Sequence, residues 1–110
     1  MIKRVSLVRR KPDWTHEAFI AHWMGPHADI VKQLPGLRGL RFGPVLRWTP
    51  EASSWDGIGE LWFDSIEAAD AAFASEPCAS LLKADRALFL GEGQSAFVEE
   101  HTAVPPPAGR

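Results

Sequence analysis

Two histidines fall within the stretch HWMGPHADIVKQLPGLRGL, on a segment whose apolar residues recur at helical spacing. An imidazole titrates near neutral pH, so either ring could take a proton from a bound molecule or return one. His27 lies four residues after Trp23 and eight after Phe19, which aims it from the apolar stripe toward whatever the helix covers. Two readings fit that position: a core histidine bonded to a backbone carbonyl, or a general acid–base. Pro26, just before it, has no N–H and disturbs the helix, which can re-aim the next side chain. His22 precedes His27 by five residues, about 500° around a regular helix, so the two rings should diverge by about 140°. Zinc-binding pairs use a spacing of four, so no metal is expected here. His22 is placed at a pocket edge or a subunit interface. His16 and His101 fall at element ends and read as surface residues.

Two carboxylates complete the inventory. Glu60 shares a strand face with Ile58 and Trp62, where an acid needs a partner. It either orients His27 or pairs across strands with Arg38, Arg41 or Arg47. Asp85, four residues before Phe89, reads as a helix-surface acid or a salt-bridge partner of a strand arginine. Trp23, Phe42, Trp62 and Phe89 are core residues or, around a cavity, a flat apolar wall suited to an aromatic ligand. Cys78 has no base beside it in sequence and is expected to be a buried structural thiol.

The chain bounds these options. Its 110 residues make one domain, 1–101, followed by a Pro-rich tail, 102–110, expected to be disordered. With 12 Lys+Arg against 14 Asp+Glu, the formal charge of −2 argues against a nucleic-acid surface. The basic residues Lys3, Arg4 and Arg9–Lys11 read as the solvated ends of an edge strand. No apolar run approaches the roughly 20 residues of a membrane span, and the lone cysteine fits a reducing compartment, the cytoplasm.

The positioning elements follow from periodicity. Lys3–Arg9 reads as a strand. A helix starts at Asp13 or Thr15 and ends at Leu34-Pro35-Gly36. Leu37–Trp48 and Gly57–Asp64 read as strands, with a turn-rich loop between them. Two helical stretches follow, one capped by Asp64 or Ser65 and one over Cys78–Phe89, then a turn at 91–93 and a strand near Gln94–His101. The order β-α-β-β-α-β is the ferredoxin-like α+β topology, a four-stranded antiparallel sheet with helices on one face. Yet Leu61 and Phe63 point away from Ile58 and Trp62, so both sheet faces carry apolar residues. A second copy of the sheet is the simplest cover, which predicts a homodimer.

Three stretches, FIAHWMGPHADIVKQLPGLRGL at 19–40, DGIGELWFDSIEAADAAF at 56–73 and the Asp85/Phe89 pair, resemble the EthD-like proteins of the dimeric α+β barrel superfamily. The resemblance implies two sheets facing each other across a dimer, a pocket between sheet and helices, and cofactor-free small-molecule chemistry. A histidine at the place of His27, a Trp-Phe pair matched by Trp62-Phe63 and an acid matched by Asp85 recur in that family, and the match implies pocket roles for His27 and Asp85. Where the family usually carries Tyr, this chain has His22.

The expected function is a cofactor-free enzyme moving a proton on a small apolar carbonyl, lactone or aromatic compound, by isomerisation, dehydration or a related step. His27, Asp85 and Glu60 would do the chemistry; His22, Trp23, Phe42, Trp62 and Phe89 would line the substrate site. The alternative is a non-catalytic dimer that binds a small hydrophobic ligand or serves as an accessory protein.

Overall fold

The computed structural model describes residues 1–49 and 54–108. Strands β1 (Ile2–Arg10), β2 (Gly39–Pro44), β3 (Gly57–Phe63) and β4 (Leu90–Glu99) form one antiparallel sheet ordered β2-β3-β1-β4. Helix α1 (His16–His22) runs through a π-helical turn (Trp23–His27) into α2 (Ala28–Val31), and α3 (Ile66–Ala74) and α4 (Cys78–Phe89) follow β3. This is the α+β topology expected from the sequence.

Register decides which side chains meet the helices. Arg4 lies opposite Leu61 and Phe97, Ser6 opposite Gly59 and Ser95, and Val8 opposite Gly57. Because strand side chains alternate, Arg4, Ser6 and Val8 share the helix-facing side with Leu61 and Phe63. Lys3, Val5 and Leu7 share the other face with Ile58, Glu60 and Trp62. That outer face keeps Val5, Leu7, Ile58 and Trp62 half-exposed, with no element of the described chain over them.

Three features differ from expectation. β1 is a central strand, so its cations are not a solvated edge: Lys3 reaches Glu60 and Glu100, Arg9 pairs with Glu92, and Arg10 with Asp56. β2 stops at Pro44, which has no ladder donor, well before Trp48. β4 starts at Leu90, directly after α4, and residues 91–93 are strand rather than turn. There the register shifts between Arg9 and Arg10, and a Cβ on Gly91 would stand 2.4 Å from the Arg10 carbonyl oxygen, an approach only glycine permits. The loop expected before Gly57 lies partly outside the described residues; residues 102–108 are exposed and form no helix or strand.

Among the described residues, Asp56 is the one buried charged side chain. It accepts hydrogen bonds from the Arg10 backbone N–H (2.8 Å), the Arg10 guanidinium and His16 Nδ1 (2.8 Å). His16 is therefore anchored to the strand end rather than left free at the surface. Burial pushes the Asp56 carboxyl upward, but these donors outweigh it and hold the group below its ordinary value.

Two apolar clusters fill the space under the helices. One joins Val31, Leu61, Phe63 and Leu82 with the buried free thiol of Cys78. The other joins Val8, Phe19, Trp23 and Phe89. Trp23 fits because β3 offers no side chain beneath it: a Cβ on Gly57 would come within 2.4 Å of the indole, and one on Gly59 within 3.4 Å. Gly57→Ala must displace the indole, and is expected to cost about 1–3 kcal/mol. Urea denaturation reads this as a lower midpoint; an unchanged midpoint would show that the slot does not hold the ring.

Candidate active site

Helix α1 begins at Thr15, whose Oγ1 accepts from the Ala18 N–H (3.1 Å), with Glu17 in the first turn beside the positive helix end. Gly25 and Pro26 then change its pitch. Pro26 supplies no N–H to the i→i−4 ladder, and the chain widens into a π-helical turn over Trp23–His27. In a π turn, residues five apart stack on one face. His22 and His27 therefore converge instead of diverging by the angle of a regular helix. His22 Nε2 lies 2.7 Å from one oxygen of Asp85, and His27 Nδ1 lies 2.7 Å from the other.

Asp85 comes from α4, whose Leu82, Asp85, Arg86 and Phe89 form one stripe at helical spacing. Its side chain is 9% exposed, against 13% for His27 and 15% for His22. The Phe89 ring packs on both imidazoles, with centroids 4.6 Å from His22 and 5.1 Å from His27, and Trp14 closes the far edge of His22 at 5.7 Å. A carboxylate only accepts, so each histidine donates to it the N–H of the contacting nitrogen. That fixes the neutral His27 as the Nδ1–H tautomer and leaves Nε2 with its lone pair. Burial pulls His27 below the ordinary imidazole value; the Asp85 carboxylate opposes this in part, while Arg86 and His22 pull it further down. The uncharged ring is thus favoured more than in an ordinary imidazole.

His27 borders a cavity of about 240 Å³ between helices and sheet. Trp23, Val31, Leu40, Phe42, Leu61 and Phe89 supply its apolar wall, and Arg4, Ser6, Ser95 and Arg86 its polar end. In that wall Trp23 and Phe42 meet edge-to-face, with centroids 4.8 Å apart.

Of the residues singled out in the sequence, His27, Asp85, Trp23, Phe42 and Phe89 come together here. His22 joins them behind the cavity as a partner of Asp85 and is not among the residues bordering it. Glu60 and Trp62 are not brought in. The strand pleat turns both to the outer face, where Glu60 binds Lys3 (2.8 Å) and Trp62 Nε1–H donates to Glu100 (2.9 Å). Arg4, Ser6, Ser95 and Arg86 were missed. The signals were present: Arg4 is two residues from Ser6 and four from Val8 on one pleat row, and Arg86 follows Leu82 by one helical turn. Among the described residues, no group of three or more His, Cys, Asp or Glu side chains could hold a metal ion. No described helix is long and apolar enough to cross a membrane.

Residues 11–93 match the EthD domain. The chain belongs to the EthD family. An EthD family protein from Bacillus halodurans is similar in fold, at 22% identity and a TM-score of 0.76, covering 92% of this chain and 99% of that one. So is a hydroxynitrile lyase from Passiflora edulis, at 14% identity and a TM-score of 0.72, covering 94% and 96%. A dimeric protein of unknown function and ferredoxin-like fold from Bacteroides fragilis matches at 12% identity and a TM-score of 0.68, covering 90% and 95%. No curated protein sequence matches significantly.

The lowered proton affinity of His27 has a stability consequence. The unfolded chain protonates this ring near pH 6.5, the folded chain only at lower pH. The contribution is present above about pH 6.5 and is lost as pH falls through the folded value. In Asp85→Asn the carboxylate that favours the imidazolium is gone, so His27 should titrate lower still. Imidazole 15N NMR across the acid range reads this directly, and an unmoved His27 titration would break the proposed coupling.

Proposed function

We propose that this EthD protein is an enzyme that moves a proton on a small, ring-bearing carbonyl, lactone or hydroxyl compound, using its own side chains. The observation that carries the reading is the 2.7 Å contact from Asp85 to His27 Nδ1 at the cavity wall, which leaves Nε2 as the free base. With the substrate ring against Trp23, Phe42 and Phe89, Nε2 takes a proton from a carbon beside an electron-withdrawing group, or from a hydroxyl. The resulting imidazolium lies against the Asp85 carboxylate, whose second oxygen is held by His22. Return of the proton to a neighbouring atom gives isomerisation; its delivery to a departing hydroxyl gives dehydration. That a structural relative is a hydroxynitrile lyase supports small-molecule chemistry on this fold.

We further propose a homodimer in which the outer sheet faces of two copies cover each other. The half-exposed Val5, Leu7, Ile58 and Trp62 support it, as does the dimeric state of a structural relative. A cytoplasmic location is supported by the single, unpaired, buried thiol of Cys78.

The catalytic reading is tested by hydrogen–deuterium exchange. Small aryl ketones and lactones are incubated with the protein in D2O, and loss of the proton signal beside the carbonyl is followed by NMR. The wild type should accelerate exchange, and His27→Ala should lose about 10²–10⁴-fold while keeping its circular dichroism spectrum. Equal rates in the two proteins would end the role of His27. For the assembly, light scattering at micromolar concentration should give twice the chain mass, and Ile58→Asp should shift it to the monomer. A monomeric wild type would reject the dimer.

A further inference from the structure

On β1, three of the four charged side chains that follow Ile2 have carboxylate partners: Lys3 with Glu60 and Glu100, Arg9 with Glu92, Arg10 with Asp56. Arg4 is the exception. It faces the helices, half-buried, and its hydrogen bond goes to the Ser6 hydroxyl (3.0 Å). Its guanidinium carbon lies over the Phe73 ring, 4.6 Å from the centroid, a contact that favours the fork's position without neutralising it. Arg86 of α4 enters the same cavity and, like Arg4, forms no salt bridge within the described residues. Asp70 stands exposed at the outer mouth beside both arginines and pairs with neither.

Two like charges directed into one half-buried space are unfavourable alone. Burial, and then the nearby charge of Arg86, lowers the proton affinity of Arg4; burial does the same to Arg86. Both nevertheless remain cations, since arginine does not lose its proton in proteins. The Ser6 and Ser95 hydroxyls meet at 3.0 Å beside them. One hydroxyl donates to the other, so a second O–H remains available to a ligand. The described residues lining this end thus offer several donors and no carboxylate; Asp70 lies outside at the exposed mouth, and Asp85, next to Arg86 on the helix, acts on it only through its nearby charge.

We infer that this end of the cavity is a carboxylate-binding subsite, with Arg4 and Arg86 gripping the anionic group of a ring compound whose reacting carbon lies at His27. Planar guanidinium forks match a carboxylate, and the apolar wall between the two ends takes the ring. Adjacent residues of α4 then divide the work, Asp85 orienting the base and Arg86 holding the substrate. The inference rests on the proton-transfer reading for what happens at the His27 end, and the experiment separates the two.

The probes are 4-acetylbenzoate and its neutral analogue 4-methylacetophenone, which share the ring and the exchangeable acetyl protons. Titration calorimetry on the wild type should show the carboxylate binding at least about ten-fold more tightly. In the Arg4→Met, Arg86→Met double variant, checked for folding by circular dichroism, that ratio should fall to near one. In His27→Ala the ratio should persist while exchange in D2O is lost. A wild type that binds the carboxylate no better than the ketone, or binds neither, overturns the subsite whatever the variants do. A preference that survives in a folded double variant overturns it as well. Exchange that depends on His27 without a carboxylate preference removes the subsite and spares the proton-transfer reading. A preference with exchange indifferent to His27 does the reverse.

Discussion

A single carboxylate, that of Asp85, accepts from two imidazoles carried by a different helix. This shared acceptor ties α4 to the widened end of α1, and the Phe89 ring fills the space between the tied groups. Neither histidine can turn without leaving a buried oxygen unpaired, which is unfavourable at this degree of burial. The tautomer of His27 and the direction of its free nitrogen follow from that one constraint. So does the depth of the cavity, because the histidine forms part of its wall.

Much of the frame was legible in the chain. The strand alternation of GIGELWF and the capped helix after Ser65 rest on local patterns that tertiary packing did not override. The sheet order was less accessible, because β1 pairs with partners far along the chain on both sides. Its cations therefore looked like an edge when they belong to the centre. Glu60 shows a different limit. Its face was correctly shared with Ile58 and Trp62, but nothing in a strand pattern says which face the helices cover. That depends on where Leu61 and Phe63 bury more area.

The candidate site was legible in its members and not in its geometry. His27 and Phe89 stand out by type and spacing, and Asp85 only through the family resemblance; the convergence of His22 on that carboxylate shows in neither. A regular helix rotates a pair five residues apart far from each other, and the chain escapes that rule at Gly25-Pro26. Arg4 and Arg86 were hidden for a related reason: charged residues are ordinarily read as solvent-facing, and only the register against Leu61 and the α4 stripe turns these two inward.

The π-helical turn makes the site depend on counting as much as on composition. A wide turn accommodates one residue more than a regular turn, so Trp23–His27 is a stretch whose length, independent of its side chains, sets the angle between the two rings. A shortening by one residue could restore an unbroken helix of ordinary pitch and keep every aromatic and both histidines, yet rotate one ring away from the acid. Within this fold, then, chains with the right residues and the wrong spacing can retain the architecture and lose the shared carboxylate, and an alignment that permits a gap here pairs positions that are not placed alike.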